Sequence, residues 1–280
     1  MAQVSRMFQR IERGEKSIGG VIREQGDEWV EVLGYCGMDF ACIDFMITSI
    51  DWSHAAHMVR TCDQHEMTPW VRLQSFPWGG LDLDPRLPAD VLRAMSIGVE
   101  VVMASVSTPR AVAALLAAAN DGFHRRVHLR KPLYDARPGT VRRDDRRELP
   151  MYPTLILPCI ESEEAMEKLD DILAVEGLKG IFLGMGDLTR IMGCSGDTQH
   201  PLIRDYFQDV MRRASQHGVM VFANVLPFPD PESDDPLKVA ASARWYWDNG
   251  ATGVWVSATP AIVQRFFERV IHAMDPPPKK

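Results

Sequence analysis

Residues 154–188, TLILPCIESEEAMEKLDDILAVEGLKGIFLGMGDL, contain two apolar runs that each end at a carboxylate. The first run ends at Glu161, and the second, after an amphipathic segment, ends at Asp187. An acid at the end of a buried strand is costly unless a cation or a hydrogen-bond network meets it. We therefore predict that Glu161 and Asp187 hold one divalent metal ion at the mouth of a barrel. The alternative is that each acid caps the helix that follows it.

The same alternation of an apolar run and an amphipathic run occurs eight times along the chain. The spacing leaves room for a helical crossover between successive strands, which indicates parallel pairing. Eight such units predict an α/β protein with a single (β/α)8 TIM barrel over residues 1–280. A doubly wound sheet is the alternative, but no Gly-x-Gly-x-x-Gly follows the first strand. The predicted strands are 17–23, 38–45, 68–74, 99–106, 154–161, 180–188, 219–225 and 252–259.

Composition indicates an ordinary cytoplasmic enzyme. The chain has 280 residues, is 46% hydrophobic and carries a net charge of −7, which argues against nucleic acid as a partner. No apolar run approaches the roughly 20 residues of a membrane span, and the N-terminus lacks the apolar core of a secretory signal. The five cysteines are scattered, so we expect reduced, mostly buried thiols rather than disulfides or a nucleophile.

Two stretches interrupt the alternation. Residues 125–147 contain eight arginines and one lysine against three aspartates. We interpret the basic segment near 125–150 as a solvated loop, or alternatively as a lid or subunit contact that attracts an anionic substrate. Residues 226–236 are rich in proline, which precludes a regular helix or central strand and predicts a loop on the active-site side.

The segment 160–188 closely resembles the HpcH/HpaI aldolases. The resemblance continues through Gln199-His-Pro201, and residues 37–44 and 69–72 look like the family's second and third strands. It implies a (β/α)8 barrel of the phosphoenolpyruvate/pyruvate-domain type. It also implies a metal-dependent class II enzyme that makes or breaks carbon–carbon bonds through a pyruvate enolate.

Carried over residue by residue, the resemblance makes Glu161 and Asp187 the metal ligands and Mg²⁺, Mn²⁺ or Co²⁺ the cofactor. Arg72 matches the arginine that steadies the pyruvate oxygen and the developing enolate. Asp44 matches an acid that orients its neighbours, so Arg72 and Asp44 are the predicted catalytic pair. Substrate binding is assigned to Arg72 and to the turn containing Gly186 and Asp187, where backbone N–H groups receive the substrate carboxylate.

One departure from the family pattern concerns proton transfer. The family's second strand usually ends in Asp-x-Glu-His, with the histidine as acid/base. Here Met46 replaces the glutamate and Ile47 replaces the histidine, and an isoleucine cannot move a proton. His54 and His57 follow on the predicted outer helix and are alternatives for the missing base, although a lone helical histidine is more often a surface or packing residue.

The sequence therefore predicts a divergent lyase or aldolase that acts on a 2-oxoacid of the pyruvate or oxaloacetate type. Decarboxylation suits the altered site, because loss of CO₂ creates an enolate without a base. The alternatives are a specialised biosynthetic condensation or hydrolysis on the same scaffold, and a non-catalytic oxoacid-binding protein. The resemblance also implies a homo-oligomer, a trimer or hexamer, with a C-terminal helix near 260–274 exchanged between subunits.

Overall fold

A computed structural model describes residues 5–75, 84–124, 154–194, 196–225, 235–257 and 267–269. The basic segment near 125–150 and most of the proline-rich loop and of the predicted C-terminal helix lie outside these residues. Of the stretch 260–274, only residues 267–269 are described, and they are helical.

Eight parallel strands form a closed barrel in the order β1 to β8, so the predicted fold is confirmed. The strands are β1 Ser17–Ile22, β2 Phe40–Asp44, β3 Thr68–Arg72, β4 Val101–Ser105, β5 Leu155–Ile160, β6 Gly180–Leu183, β7 Met220–Val225 and β8 Gly253–Ser257. They match the predicted segments to within a few residues, except that β6 was predicted to extend to 188.

Helices lie between the strands and pack outside the barrel, and one further helix precedes β1. In the described residues they span Arg6–Glu12, Asp27–Tyr35, Trp52–Gln64, Leu87–Ser96, Pro109–His124, Glu163–Glu167, Leu169–Leu173, Met185–Ile191, Pro201–Gln216 and Pro236–Asp248. Two were not predicted, Arg6–Glu12 and Met185–Ile191, and the amphipathic segment that follows Glu161 forms two short helices that meet at Lys168. None of the described helices combines the length and apolarity needed to cross a membrane.

Large side chains fill the inside of the barrel, because alternate residues of each strand point inward. Phe40 stacks on Trp70 with ring centroids 4.1 Å apart, and Trp70 meets Phe222 edge-on at 5.3 Å. Phe182 and Trp255 pack together on the other side at 4.5 Å. Because side chains fill the interior, no channel runs through the barrel, and a ligand can bind only at one of its two ends.

The N-terminal helix Arg6–Glu12 covers the amino-terminal end of the strands. Its fully buried Met7 belongs to the interior cluster. Ser5 shares a hydrogen bond with Thr68 at 2.7 Å and donates one to Glu100 at 2.6 Å, which fixes the start of the helix. With this end covered, the polar side chains at the carboxyl ends of the strands form the open mouth.

Candidate active site

At the carboxyl end of the barrel the inward-facing residues of the strands are polar, whereas those deeper in the barrel are apolar. Asp44 is the last residue of β2 and lies in register with Arg72, the last residue of β3. Ser105 ends β4 in register with Cys159 of β5, and Glu161 follows β5 directly. The carboxyl ends of parallel strands meet at one face, so these side chains converge.

Glu161 is held by three neighbours. Arg72 Nη2 lies 3.3 Å from Glu161 Oε2, and Cys159 Sγ donates to the same oxygen at 3.2 Å. Ser105 Oγ donates a hydrogen bond to Glu161 Oε1. The backbone N–H of Ser105 in turn donates to Ser75 Oγ at 2.7 Å. Glu161 is therefore fixed between β3, β4 and β5 rather than extended into solvent.

Gly184, which follows β6, allows Glu161 this position. A Cβ atom at Gly184 would lie 2.6 Å from both the Cβ and the Oε2 of Glu161, and 3.4 Å from Cys159 Sγ. Such distances to a carboxylate held on three sides exclude any side chain at 184. The glycine thus brings the backbone that leads to Asp187 directly against the Glu161 carboxylate.

Asp44 is completely buried and lies between two guanidinium groups. Its Oδ2 atom is 3.3 Å from Arg23 Nε and 3.7 Å from Arg72 Nη1. Its Oδ1 atom accepts a hydrogen bond from the backbone N–H of Met46 at 2.9 Å. Arg72 thus lies between two carboxylates, Asp44 and Glu161, and the catalytic role of Asp44 stays a prediction.

Asp187 lies in the first turn of a helix and not on β6 as predicted. Gly184 ends the strand, and the N–H of Met185 donates to the Asn224 side chain at 2.8 Å, which starts the helix Met185–Ile191. Burial raises the pKa of Asp187, the negative charge of Glu161 raises it further, and Arg190 opposes the shift. Arg190 also forms an ion pair with Asp187. The two predicted metal carboxylates are therefore electrostatic neighbours.

The helix-capping alternative does not account for Glu161. The helix after β5 is capped by Ser162, whose hydroxyl accepts from the N–H of Ala165 at 3.2 Å. Nor does Asp187 cap its own helix, since the residue at the cap position is Gly184 and no side chain caps it. Neither carboxylate therefore serves as a helix cap: Glu161 contacts Arg72, Ser105 and Cys159, and Asp187 pairs with Arg190.

No histidine occupies the family's acid/base position in the described residues. Ile47 is 64% exposed in the bend after β2. His54 and His57 lie on the exposed side of helix Trp52–Gln64, where they line a surface groove with Asp27 and Glu28. His54 Nδ1 is 3.0 Å from Asp51 Oδ1. The groove is formed by outer helices, and neither histidine contacts the Glu161 cluster.

A divalent ion fits the donors at the mouth. Among the described residues no group of three or more His, Cys, Asp or Glu side chains could enclose a metal. Mg²⁺, however, is commonly bound through one or two carboxylates with water and substrate completing the shell. The raised pKa of Asp187 reflects partial burial beside a second negative charge, and a cation between Glu161 and Asp187 would relieve that repulsion.

The groups around Arg72 stabilise its positive charge. Burial alone would lower its pKa, but the acidic groups around it, the carboxylates Glu161 and Asp44 among them, outweigh that effect and raise the pKa of the guanidinium. Burial, reinforced by Glu161, raises the pKa of Cys159 well above its ordinary value, so the thiol stays protonated and can donate to Glu161. It is a poor nucleophile for the same reason.

Four residues of the site were not recognised from the sequence. The only sign of each in the sequence is its position, two residues beyond an inward-facing apolar residue or just past the end of a strand. Which residue it contacts depends on the register between neighbouring strands, which the sequence does not show. The four are Arg23, Ser105, Cys159 and Asn224.

Comparison with known proteins places this arrangement in a family. The family model described as HpcH/HpaI aldolase/citrate lyase matches residues 53–258, well over half of the chain. A 5-keto-4-deoxy-D-glucarate aldolase from Escherichia coli is 34% identical over 119 residues, which are 40% of this chain and 42% of that enzyme. The match thus spans less than half the length of this curated relative.

Two solved structures share the whole fold. An HpcH/HpaI aldolase from Desulfitobacterium hafniense DCB-2 superimposes with a TM-score of 0.71 at 20% identity, covering 98% of each chain. The citrate synthase SbnG gives a TM-score of 0.70 at 20% identity, covering 97% of this chain and 98% of that one. At this identity the likeness bears on the fold alone. Because the family model matches most of the chain, the protein belongs to the HpcH/HpaI aldolase/citrate lyase family.

Proposed function

We propose that this protein is a metal-dependent carbon–carbon lyase of the aldolase type, acting on a 2-oxoacid such as pyruvate or oxaloacetate. The observation that carries the proposal is the contact of Glu161 with Arg72, beside Asp187, at the mouth of the barrel. Family membership supports the reaction class, and these side chains support an anionic substrate.

Glu161 and Asp187 would hold the divalent ion, Mg²⁺, Mn²⁺ or Co²⁺, since hard cations prefer carboxylate oxygens. When bound, such an ion acts as a Lewis acid that stabilises negative charge on the oxygen of a 2-oxo group. Ser105 and Cys159 hold the Glu161 carboxylate in place, so its orientation does not depend on the ligand.

Arg72 supplies a fixed positive charge to the oxo oxygen. Its guanidinium is held by Glu161 on one side and by Asp44 on the other, and its side chain is 13% exposed. Arg72 Nε donates no hydrogen bond within the described residues, so one donor remains unused. A preorganised donor of this kind favours the state in which negative charge has accumulated on the substrate oxygen.

The turn after β6 supports binding of the substrate carboxylate. Within this turn the N–H of Met185 donates a hydrogen bond to the Asn224 side chain. The N–H groups of Asp187 and Leu188 donate to the carbonyl of Gly184. We assign the N–H of Gly186, together with Asp187, to the substrate, as the family resemblance implies. Asn224 serves as the anchor that holds this turn against β7.

Decarboxylation of a 3-carboxylated 2-oxoacid is the reaction that fits the loss of the family histidine. When the bond to the departing carboxyl group breaks, its electron pair forms the enolate and CO₂ leaves. No side chain has to remove a proton from carbon, and a proton from water completes the pyruvate product. Ile47 therefore does not block this route, whereas it removes the base needed for enolisation of pyruvate.

A non-catalytic oxoacid-binding protein is the second candidate, and the exposed Ile47 at the acid/base position favours it. The two candidates differ in turnover. With Mg²⁺ or Mn²⁺, NMR should show oxaloacetate converted to pyruvate faster than by the free metal, and chelation should abolish the difference. Binding of the oxoacid without any rate above the free-metal rate would favour the second candidate. Absence of both would contradict the proposal.

A further inference from the structure

Arg23 is an unexpected cation at the barrel mouth. It follows β1 directly, two residues beyond Val21, which belongs to the interior cluster. Its Nε atom donates to Asp44 Oδ2 at 3.3 Å, and its side chain remains 30% exposed. The contact with a completely buried carboxylate shows that the Arg23 side chain turns into the barrel mouth rather than out to solvent.

Arg23 and Arg72 meet the same oxygen atom. Asp44 Oδ2 lies 3.3 Å from Arg23 Nε and 3.7 Å from Arg72 Nη1, so the two guanidinium groups flank one carboxylate. The four side chains form an alternating row of charges, Arg23, Asp44, Arg72 and Glu161. Arg23 stands at the end of that row, and within the described residues its guanidinium forms an ion pair with Asp44 alone, while its backbone N–H donates to Glu24 Oε2 at 3.2 Å.

The terminal nitrogens of Arg23 retain their donor capacity. Only Nε has a hydrogen-bond partner within the described part of the chain, and a guanidinium carries five N–H donors. The fork of two Nη groups is well suited to a carboxylate, which it can bind through two parallel hydrogen bonds. Partial exposure keeps this fork within reach of a molecule in the mouth.

The charge balance of the mouth also favours a dianion. Among the described residues there, the ion pairs join three arginines to three carboxylates, so the paired charges balance: Arg23, Arg72 and Arg190 with Asp44, Glu161 and Asp187. A divalent ion on Glu161 and Asp187 would leave an excess of two positive charges. A substrate with two carboxylates neutralises that excess, whereas pyruvate neutralises half of it.

We propose that Arg23 binds a second carboxylate of the substrate, so that the site selects dicarboxylic over monocarboxylic 2-oxoacids. The inference rests on the proposed function, in which Arg72 and the metal carboxylates receive the 2-oxoacid end. Arg23 then binds the far carboxylate from the β1 side of the mouth. It is a specificity-determining residue, and Asp44 is the group that orients it together with Arg72.

The test compares matched ligands that differ in one carboxylate. Dissociation constants are measured by calorimetry with Mg²⁺ present, for 2-oxopentanoate against 2-oxoglutarate and for 2-oxohexanoate against 2-oxoadipate. Neither dicarboxylate carries a carboxyl group on C3, so neither is consumed by the proposed decarboxylation during the titration. Arg23→Gln should weaken binding of the two dicarboxylates about tenfold or more, because a charge-assisted hydrogen bond is lost. Binding of the two monocarboxylates should change less than about threefold. Arg23→Lys should recover part of the preference because it restores the charge.

Arg10→Gln is the control for loss of an arginine beside a buried aspartate. Arg10 Nη1 lies 3.6 Å from Asp39, which is also completely buried but precedes β2 at the opposite end of the barrel. This variant should leave both ligand classes unaffected. If Arg23→Gln lowered the affinity for mono- and dicarboxylates equally, or lowered neither, the inference would be overturned while the proposed function stands. A wild-type protein that binds neither class would overturn both.

Discussion

At the scale of single residues, Glu161 and Asp187 are the proposed ligands of the divalent ion, and each can be removed separately. Glu161→Ala and Asp187→Ala should lower the affinity for Mn²⁺ at least about 100-fold, since even residues that only support metal ligands commonly contribute 10–100-fold. Titration calorimetry measures the affinity, and circular dichroism checks that the barrel is retained.

The matched control is Asp170→Ala. Asp170 is an exposed carboxylate on the outer helix Leu169–Leu173, paired with Arg213 at 2.7 Å and remote from the mouth. Its removal should leave the metal affinity unchanged. Unchanged affinity in both Glu161→Ala and Asp187→Ala would contradict the assignment of these carboxylates.

The sequence identifies a candidate site residue when that residue type is rare at its place in a strand. Glu161 and Asp187 could be singled out because a carboxylate at the end of an apolar run is costly to bury without a partner, and the structure places the two charges close enough to interact. Ser105 could not, because a serine at a strand end is ordinary, and its bond to Glu161 depends on the register of β4 against β5. The same holds for Asn224, whose partner lies 39 residues away in the chain.

At the scale of elements, the junction between β6 and the helix Met185–Ile191 depends on the small size of Gly184. In Gly184→Ala the added methyl would lie 2.6 Å from the Glu161 carboxylate and displace it. We expect a loss of about 1–3 kcal/mol in the free energy of unfolding, typical of overpacking, together with a metal affinity reduced about tenfold or more.

Gly180→Ala provides the comparison within the same strand. Its added methyl would lie 2.7 Å from Leu157 Cδ2, inside the barrel and away from the carboxylates. Chemical denaturation should show a similar loss of stability, and calorimetry an unchanged metal affinity. If both variants lowered the affinity equally, the effect would be a general one of β6 packing, and Gly184 would have no special role.

The junction also shows where sequence patterns mislead. The apolar run through residue 185 predicted a strand to 188, because apolar residues before a helix look like a continuing strand. Two tertiary interactions override that pattern, the close approach of Gly184 to Glu161 and the hydrogen bond from Met185 N–H to Asn224. Both join segments distant in sequence, so local periodicity could not reveal them.

At the scale of the whole molecule, the barrel was predictable because eight similar units repeat along the chain, and closure buries every strand edge. The covering helix Arg6–Glu12 was missed, since it is short and lies outside the repeat. Its contribution comes from burying Met7 against the barrel interior.

Assembly belongs to the same scale. The stretch 260–274 has apolar residues at helical spacing, including Phe266, Phe267, Val270 and Ile271. The exchange of this stretch between subunits, which the family resemblance implies, stays a prediction. We expect a trimer or hexamer of the 31.5 kDa chain. Sedimentation equilibrium at micromolar concentration and moderate salt measures the mass, and a single species at the monomer mass would contradict this expectation.

The central claim is that the mouth stabilises an enolate while position 47 no longer provides a base. The most direct measurement follows deuterium exchange into the methyl group of pyruvate and decarboxylation of oxaloacetate side by side by NMR. Both rates are measured with Mg²⁺ and corrected for the free metal. We predict that decarboxylation exceeds the free-metal rate while exchange is slow, and that Ile47→His raises exchange more than decarboxylation. General-base assistance is commonly about 10²–10⁴-fold, so the disparity is measurable. Rapid exchange by the unmodified protein would show that another group supplies the base, and would contradict the claim.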